Sequence, residues 1–178
     1  MTDLPDNTAT TDAAVLGTVR AATPADVPAI LDLIHQLAVY EKEPDAVNNT
    51  EAMLHDHLFG NNPRVFCHVI DDVVDGDPQV VGIAVWFETY STWEGVHGIW
   101  LEDLFVIPAM RGRGHGKKLL LHLAGLAVDR GYTRYEWTVL DWNTPSIEFY
   151  ASLGAVPMDE WTNYRLDGDA LRHAAARS

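Results

Sequence analysis

The sequence predicts one α+β domain, α/β in the broad sense, with a mixed central β-sheet and helices on both of its faces. Apolar residues recur at helical spacing in some segments and form alternating or continuous runs in others, so both element types are expected. Strands and helices follow one another without strict βα alternation, which disfavours a doubly wound parallel sheet. The 178 residues are 47% hydrophobic, enough for one core and short for two.

The predicted elements carry recognisable start and stop signals. Thr23 caps the first helix with Pro24 in its first turn, and Gly131 and Gly154 end two later helices. Strands are predicted over residues 18–22, 64–71, 79–88, 98–106, 133–140 and 164–166. Further helices are predicted over residues 50–59, 117–130 and 145–153 and in the polar C-terminal tail, with a turn at 72–78 and a hairpin connection at 90–95.

Bulk properties restrict the function classes. Residues 1–17, rich in Asp, Thr and Ala, are predicted to be a flexible tail before a domain spanning 18–178, and no apolar run is long enough to cross a bilayer. A single cysteine, Cys67, excludes an intramolecular disulfide and suits a reducing cytoplasm. The net charge of −14 argues against nucleic acid as a partner and is compatible with a cationic substrate.

The run Arg111-Gly112-Arg113-Gly114-His115-Gly116 is the most informative segment. It lies between a predicted strand and a predicted helix, where free N–H groups and the positive end of the helix dipole favour an anion such as a phosphate. A Walker A loop requires glycine where Arg111 stands and Ser or Thr where Lys118 stands. The dinucleotide fingerprint requires glycine at Lys117, so both nucleotide motifs fail.

Three blocks with matching spacing resemble the GCN5-related N-acetyltransferase superfamily. The glycine loop resembles its pyrophosphate loop, residues 101–106 resemble its fourth strand, and residues 142–155 resemble its next conserved block. Within the superfamily, residues 37–41, 101–103 and 139–143 are most similar to the diamine (spermidine/spermine) and thialysine N-acetyltransferases. The resemblance implies a single domain of that type whose fourth and fifth strands splay apart.

The resemblance also implies acetyl-CoA as the donor substrate and no metal. Its diphosphate is expected on the glycine loop, its pantetheine arm along the open edge of the fourth strand, and further contacts at the start of the helix near residue 145. The residues expected to bind the donor are Leu104, Phe105, Val106, Arg111, Gly112, Arg113, Gly114, His115, Gly116, Lys117, Asn143 and Ser146. His55 and His57, at i and i+2, share no helix face and predict no metal site.

Acetyl transfer to an amine requires a base and an acid. An alkyl ammonium near pKa 10.4 must lose a proton, roughly 4 kcal/mol uphill at neutral pH, and Glu102 is the candidate base, directly or through water. Tyr150 occupies the superfamily's general-acid position and is expected to protonate the leaving thiolate. Strict alternation would place Glu102 and Asp103 on opposite faces of their strand, and Asp103 is interpreted as a partnered structural residue.

Tyr40, Glu41 and Glu102 are expected to line the acceptor site. The leading hypothesis is N-acetylation of a small primary amine of the polyamine or diamine type by direct attack in a ternary complex. The alternatives are a thialysine, lysine-analogue or other amino-acid acceptor, a protein amine, or a non-catalytic acyl-CoA sensor. The family resemblance further implies a homodimer; no membrane partner is expected, and the expected location is the cytoplasm.

Overall fold

The structure, a computed structural model, describes residues 17–177. The tail predicted for residues 1–17 therefore lies outside the described residues, apart from Gly17. The elements in chain order are β1 (Val19–Ala21), α1 (Val27–Tyr40), α2 (Glu51–Phe59), β2 (Phe66–Val74), β3 (Asp77–Ser91), β4 (Val96–Val106), α3 (His115–Asp129), β5 (Tyr135–Glu136), α4 (Thr144–Ser152) and α5 (Gly168–Ala175).

The five strands form one open, mixed sheet in the order β1-β2-β3-β4-β5. The first three pairings are antiparallel, and β4 pairs with β5 in parallel. A short connection suffices for each antiparallel pair, whereas the parallel pair requires a crossover, which α3 provides. The predicted mixed sheet is confirmed.

Helices cover both faces of this sheet. On one face, Val69, Ile83 and Phe105 share a hydrophobic cluster with residues of α1 and α2. Because side chains alternate along a strand, the residues next to them in sequence face the other way. His68, the neighbour of Val69, lies 4.6 Å from the ring of His122 in α3. The apolar stripe of α3 thus buries the second face, as predicted.

The connection between β2 and β3 is tighter than predicted. A turn was expected over residues 72–78, but β2 continues to Val74 and β3 begins at Asp77. Asp75 and Gly76, with φ of 53° and 97°, form the two-residue connection. Positive φ at both central residues gives the backbone twist that matches two antiparallel strands, and Asp-Gly is a favoured pair for it.

Two predicted strands differ from the structure. The strand expected over residues 133–140 is reduced to Tyr135 and Glu136, which pair with Ile99 and Trp100. Residues 164–166, expected as a last strand, are irregular and exposed, with Tyr164 at 95% exposure. A strand forms only where a neighbour satisfies its N–H and C=O groups, and the described sheet offers no partner beyond these two pairs.

The described chain divides into two compact units. The first ends at Thr138 and contains the whole sheet with α1, α2 and α3. The second begins at Val139 and contains α4 and α5, the latter confirming the predicted helical tail. Residues with predicted roles therefore lie in both units.

An ionic cluster fastens β1 to the rest of the first unit. Arg20 in β1 donates to Asp71 of β2 and to Asp26 ahead of α1, with N···O distances of 2.7 Å to each. Burial alone raises the pKa of Asp26, but hydrogen bonds from Arg20 and Thr23 outweigh it and hold that pKa below its usual value. The cluster fixes where α1 begins.

Replacing each of two glycines by alanine is expected to change the free energy of unfolding in opposite directions. A Cβ on Gly98 in β4 would lie 2.9 Å from the backbone oxygen of Arg134, whereas one on Gly125 in α3 meets no atom within 4 Å. We expect Gly98→Ala to lower the free energy of unfolding by about 1–3 kcal/mol. Gly125→Ala, the matched control, should raise it by about 0.5–1 kcal/mol. Urea denaturation measures both, and equal effects would contradict the close packing at Gly98.

Candidate functional site

A β-bulge in β4 organises one side of the candidate site. Val85 pairs with Asp103, but the next residue of β3, Trp86, pairs with Leu101, so Glu102 has no partner in the register. Antiparallel partners point to the same face of a sheet. Asp103 therefore shares a face with Phe105 and Trp100, whose partners are Ile83 and Phe87.

Glu102 lies on that same side. Its Oε2 accepts a hydrogen bond of 2.9 Å from Nε1 of Trp100. The alternation prediction, which put Glu102 and Asp103 on opposite faces, is wrong because the extra residue of a bulge shifts the alternation by one. The two carboxylates lie side by side on the face that α1 covers.

The environment of Asp103 differs from that of an ordinary surface acid. Burial, the charge of Glu102 and the charge of Glu41 at the end of α1 raise the pKa of Asp103 to about 6. Desolvation also raises the pKa of Glu41. No cation or hydrogen-bond donor of residues 17–177 contacts the Asp103 carboxylate. Asp103 thus lacks the structural partner expected from the sequence and is poised to exchange a proton near neutral pH.

Beyond the bulge, one edge of β4 has no strand of residues 17–177 paired with it. The N–H of Ile107 donates to Val81 of β3 at 3.0 Å, and successive N–H groups of a strand point to opposite edges. The N–H groups of Leu104 and Val106 therefore point away from β3, where β5 has already ended. The splay predicted for the fourth and fifth strands is this early separation of β5 from β4.

The glycine loop presents a row of backbone donors. Gly112 and Gly114 have φ of 77° and 83°, conformations that favour glycine, and Gly114 is the N-cap of α3. Among residues 17–177, no acceptor contacts the backbone N–H groups from Gly112 to Lys117. A Cβ on Gly112 or Gly114 would meet no protein atom within 4 Å, so a ligand has room to approach. The cradle fits a diphosphate.

His115 ties this loop to β2. Its ring is 4% exposed, and Nε2 lies 2.9 Å from Oδ2 of Asp72. Arg113 approaches the same carboxylate at 4.0 Å while remaining largely exposed. The side chain of His115 therefore anchors the loop, and its backbone N–H, like that of the exposed Lys117, faces the cradle.

Arg111 extends away from the cradle. Its backbone N–H donates to Pro108, and its Nε donates to the Val106 carbonyl at 3.0 Å. The guanidinium carbon lies 4.7 Å from the centre of the Tyr40 ring and 5.4 Å from that of Phe105. The side chain therefore stacks on the face that α1 covers.

The second unit holds the other predicted residues. Asn143 precedes α4, and its carbonyl accepts from the N–H groups of Ser146 and Ile147 at 3.1 Å. Tyr150 lies in the same helix, with its ring 5.4 Å from that of Phe149. The predicted helix and its start are confirmed; the roles of Asn143, Ser146 and Tyr150 stay predictions.

Residues 28–155 match the acetyltransferase (GNAT) family. The chain belongs to this family. It is 37% identical to a pig thialysine N-epsilon-acetyltransferase over 166 residues, covering 89% of this chain and 97% of that protein. It is 33% identical to a human spermidine/spermine N(1)-acetyltransferase-like protein over 159 residues, covering 86% of this chain and 23% of that protein.

A solved structure supports the fold. An integron cassette protein of V. cholerae superposes with a TM-score of 0.72 at 25% identity, covering 88% of this chain and 96% of that one. The protein is thus an acetyltransferase with a single GNAT domain, related to the thialysine and polyamine enzymes. Within residues 17–177, no cluster of potential metal ligands occurs, and no helix is long and apolar enough to cross a membrane.

Replacing Asp103 is expected to change how stability depends on pH. An aspartate pKa raised from about 3.9 unfolded to about 6 folded means that stability falls as pH rises through this window, by up to about 3 kcal/mol. Asp103→Asn removes this loss. The stability of the variant relative to wild type should therefore increase as the pH is raised from 4.5 to 8. Urea denaturation at both pH values measures the difference.

The exposed Asp45 provides a control for the loss of one negative charge. Asp45→Asn should show a much smaller gain over the same pH range. If the two variants respond alike, the raised pKa assigned to Asp103 is contradicted.

Proposed function

We propose that this acetyltransferase transfers the acetyl group of acetyl-CoA to a small primary amine. Two features carry the proposal. No acceptor of residues 17–177 contacts the N–H groups of the cradle at Gly112–Lys117, and no described strand pairs with the nearby β4 edge at Leu104–Val106. The cradle suits a diphosphate and the edge suits the amide groups of a pantetheine arm. CoA contains a diphosphate joined directly to a pantetheine arm.

The donor half is assigned residue by residue on these contacts. Gly112, Arg113, Gly114, His115, Gly116 and Lys117 would hold the diphosphate, mainly through backbone N–H groups, and Arg113 adds a cation. Leu104, Phe105 and Val106 would align the pantetheine, and a free N–H at this edge would stabilise charge on the thioester oxygen. Asn143 and Ser146, at the start of α4, would contribute further contacts to CoA. When bound, acetyl-CoA supplies the activated acetyl group.

The acceptor half is assigned to Tyr40, Glu41 and Glu102. Glu41 would pair with a distal ammonium, and Glu102 would take the proton from the reacting nitrogen, directly or through water. Asp103 beside Glu102 adds a second carboxylate whose raised pKa suits the same proton. The amine nitrogen would then attack the acetyl carbon directly, charge would develop on the thioester oxygen, and the carbon–sulfur bond would break as the thiolate leaves.

Tyr150 is proposed as the acid for the departing sulfur. A phenol with a reference pKa near 10 can protonate a thiolate of similar or slightly lower pKa without a large cost. Direct attack requires no acetyl-enzyme, and the thiol of Cys67 is 5% exposed in the core. The reaction would therefore proceed in a ternary complex.

A side-chain amine of an amino acid is the second candidate acceptor. The 37% identity to a thialysine N-epsilon-acetyltransferase over nearly the whole of both chains favours it. Thialysine carries an α-carboxylate that diamines and polyamines lack. The two candidates thus differ in whether the site needs a cation for the acceptor.

We further propose a cytoplasmic homodimer that binds neither nucleic acid nor membranes. The single cysteine, which is buried, suits a reducing compartment, and the charge of −14 disfavours a polyanionic partner. Exposed aromatic side chains in the second unit, Trp161 at 69% and Tyr164 at 95%, offer apolar surface for a partner subunit.

Substitution in the cradle should abolish turnover and donor binding together. We expect wild type to release CoA from acetyl-CoA when diamines, polyamines or lysine analogues are present, and Gly114→Asp to lose this activity and the thermal stabilisation by CoA. An aspartate at φ of 83° strains the loop and repels the diphosphate. Gly131→Asp, at φ of 70° after α3, reproduces the strain elsewhere and should retain both properties.

These outcomes also separate the remaining alternatives. Binding of acetyl-CoA without turnover on any amine would indicate a sensor and contradict the proposed activity. Stabilisation of Gly114→Asp equal to that of wild type would remove the loop from the donor site.

Removal of the Tyr150 hydroxyl should affect the chemical step. Tyr150→Phe keeps the ring and loses the proton donor, so kcat should fall about 10²–10⁴-fold while the Kd for acetyl-CoA changes little. Phe149→Leu tests for mere loss of an adjacent aromatic ring and should affect kcat less. A wild-type kcat in Tyr150→Phe would exclude the phenol as the acid.

A further inference from the structure

A cavity of about 220 Å³ lies in the first unit, apart from the residues assigned to acetyl transfer. Its walls come from the C-terminal parts of α2 and α3 and from the part of β2 and β3 that lies next to the end of β1. A protein cavity of about 150 Å³ is large enough to bind benzene, so a single aromatic ring fits here.

Helix α3 separates the cavity from the glycine loop. Gly114 is the N-cap of this helix, whereas Leu126 and the C-cap residue Arg130 line the cavity. Since α3 has 15 residues, its two ends are about 22 Å apart. None of the residues assigned to the amine acceptor lines the cavity either. A ligand in the cavity would therefore leave both the proposed CoA site and the proposed amine site unoccupied.

The walls of the cavity are mainly apolar and aromatic. Phe59, Phe66 and Trp86 contribute rings, and the ring centres of Phe66 and Trp86 are 4.6 Å apart in a stacked pair. Alanine and leucine side chains supply most of the remaining lining. Although the chain has a net charge of −14, none of the described residues that line the cavity is acidic. The lining thus suits a planar ring and contains no charge that repels an anion.

His68 provides the cavity with a hydrogen-bond donor. Nε1 of Trp86 lies 3.1 Å from Nδ1 of His68, and an indole nitrogen can only donate. Nδ1 is therefore the acceptor, and the neutral imidazole carries its proton on Nε2. Burial and the charges of His122 and Arg130 lower the pKa of His68 to about 4, so the ring is neutral at pH 7. Nε2 makes no hydrogen bond to residues 17–177, which leaves its N–H for an acceptor in the cavity.

Arg130 adds a cation to the same lining. One of its terminal nitrogens donates to Glu88 at 2.8 Å, and its guanidinium carbon lies 5.2 Å from the centre of the Trp86 ring. Nε and the second terminal nitrogen make no hydrogen bond to the described residues. Because the ion pair and the aromatic ring hold the planar guanidinium in place, its remaining donors are pre-organised for a carboxylate.

We propose that this cavity is a second binding site, specific for a small aromatic carboxylate. The ring of the ligand packs among Phe59, Phe66 and Trp86, and its carboxylate accepts hydrogen bonds from Nε2 of His68 and from the remaining donors of Arg130. The site is independent of the proposed acetyl transfer and would exist without it.

The polar groups of the lining disfavour other ligands of this size. A purely apolar ring would displace water from the N–H of His68 without replacing its hydrogen bond. A ring with an ammonium group would be repelled by Arg130. A carboxylate satisfies both groups, and the aromatic ring supplies the apolar contacts with the walls.

The test follows the indole N–H signal of Trp86 by proton–nitrogen NMR in the full chain. Excess CoA is present, so that an anion cannot bind at the glycine loop instead. Trp86→Phe identifies the signal among those of the six tryptophans. We expect benzoate to shift this signal, because the indole N–H is bonded to His68, and to bind at least tenfold more tightly than benzamide or acetate. Benzamide keeps the ring without the charge, and acetate keeps the charge without the ring.

Arg130→Gln and Arg134→Gln form a matched pair, since each variant loses an arginine that pairs with one glutamate, Glu88 or Glu136. Arg130→Gln should weaken benzoate binding at least tenfold, whereas Arg134→Gln, outside the cavity, should leave it unchanged. A Trp86 signal that does not move with benzoate up to about 10 mM overturns the site. Equal affinity for benzoate and benzamide overturns the assignment of a carboxylate. Both of these results come from the wild-type protein, so the test does not depend on the folding of a variant.

Discussion

The site depends on the bulge at Glu102 in β4. Without the extra residue, Asp103 would face α3, and the Glu102 and Asp103 carboxylates would lie on opposite faces. With it, both carboxylates lie on the face that α1 covers. The acidic pair is thus a product of the bulge, and it lies next to the β4 edge that β5 leaves unpaired.

The rest of the first unit keeps this arrangement in place. The Arg20 cluster fixes the start of α1, and Tyr40 and Glu41 lie at the other end of this 14-residue helix. His115 fastens the glycine loop to Asp72 of β2, so the cradle keeps its position relative to the sheet. Both anchors are hydrogen bonds between side chains that are buried or only partly exposed.

The sequence predicted the bounds of the helices well, but it predicted less well which side chains the elements bring together. Glycine, proline and capping residues mark helix ends locally, so α2, α3 and α4 are found within two residues of their predicted bounds. The bulge leaves no such mark, because nothing in residues 101–106 distinguishes an extra residue from regular alternation. For the same reason, the sequence did not predict that Glu102 and Asp103 share one face of β4, although both residues had been noticed.

The adjacent carboxylates of Glu102 and Asp103 destabilise the free protein, and a bound ammonium would relieve their repulsion. Above about pH 6, Asp103 ionises beside Glu102 in a half-buried place, where no cation of residues 17–177 contacts it. In the proposed reaction, an arriving ammonium would replace this repulsion with attraction, close to the nitrogen that reacts. Transfer of its proton to the pair would remove one negative charge as the amine becomes neutral. A lone, solvated glutamate would offer a base without this coupling.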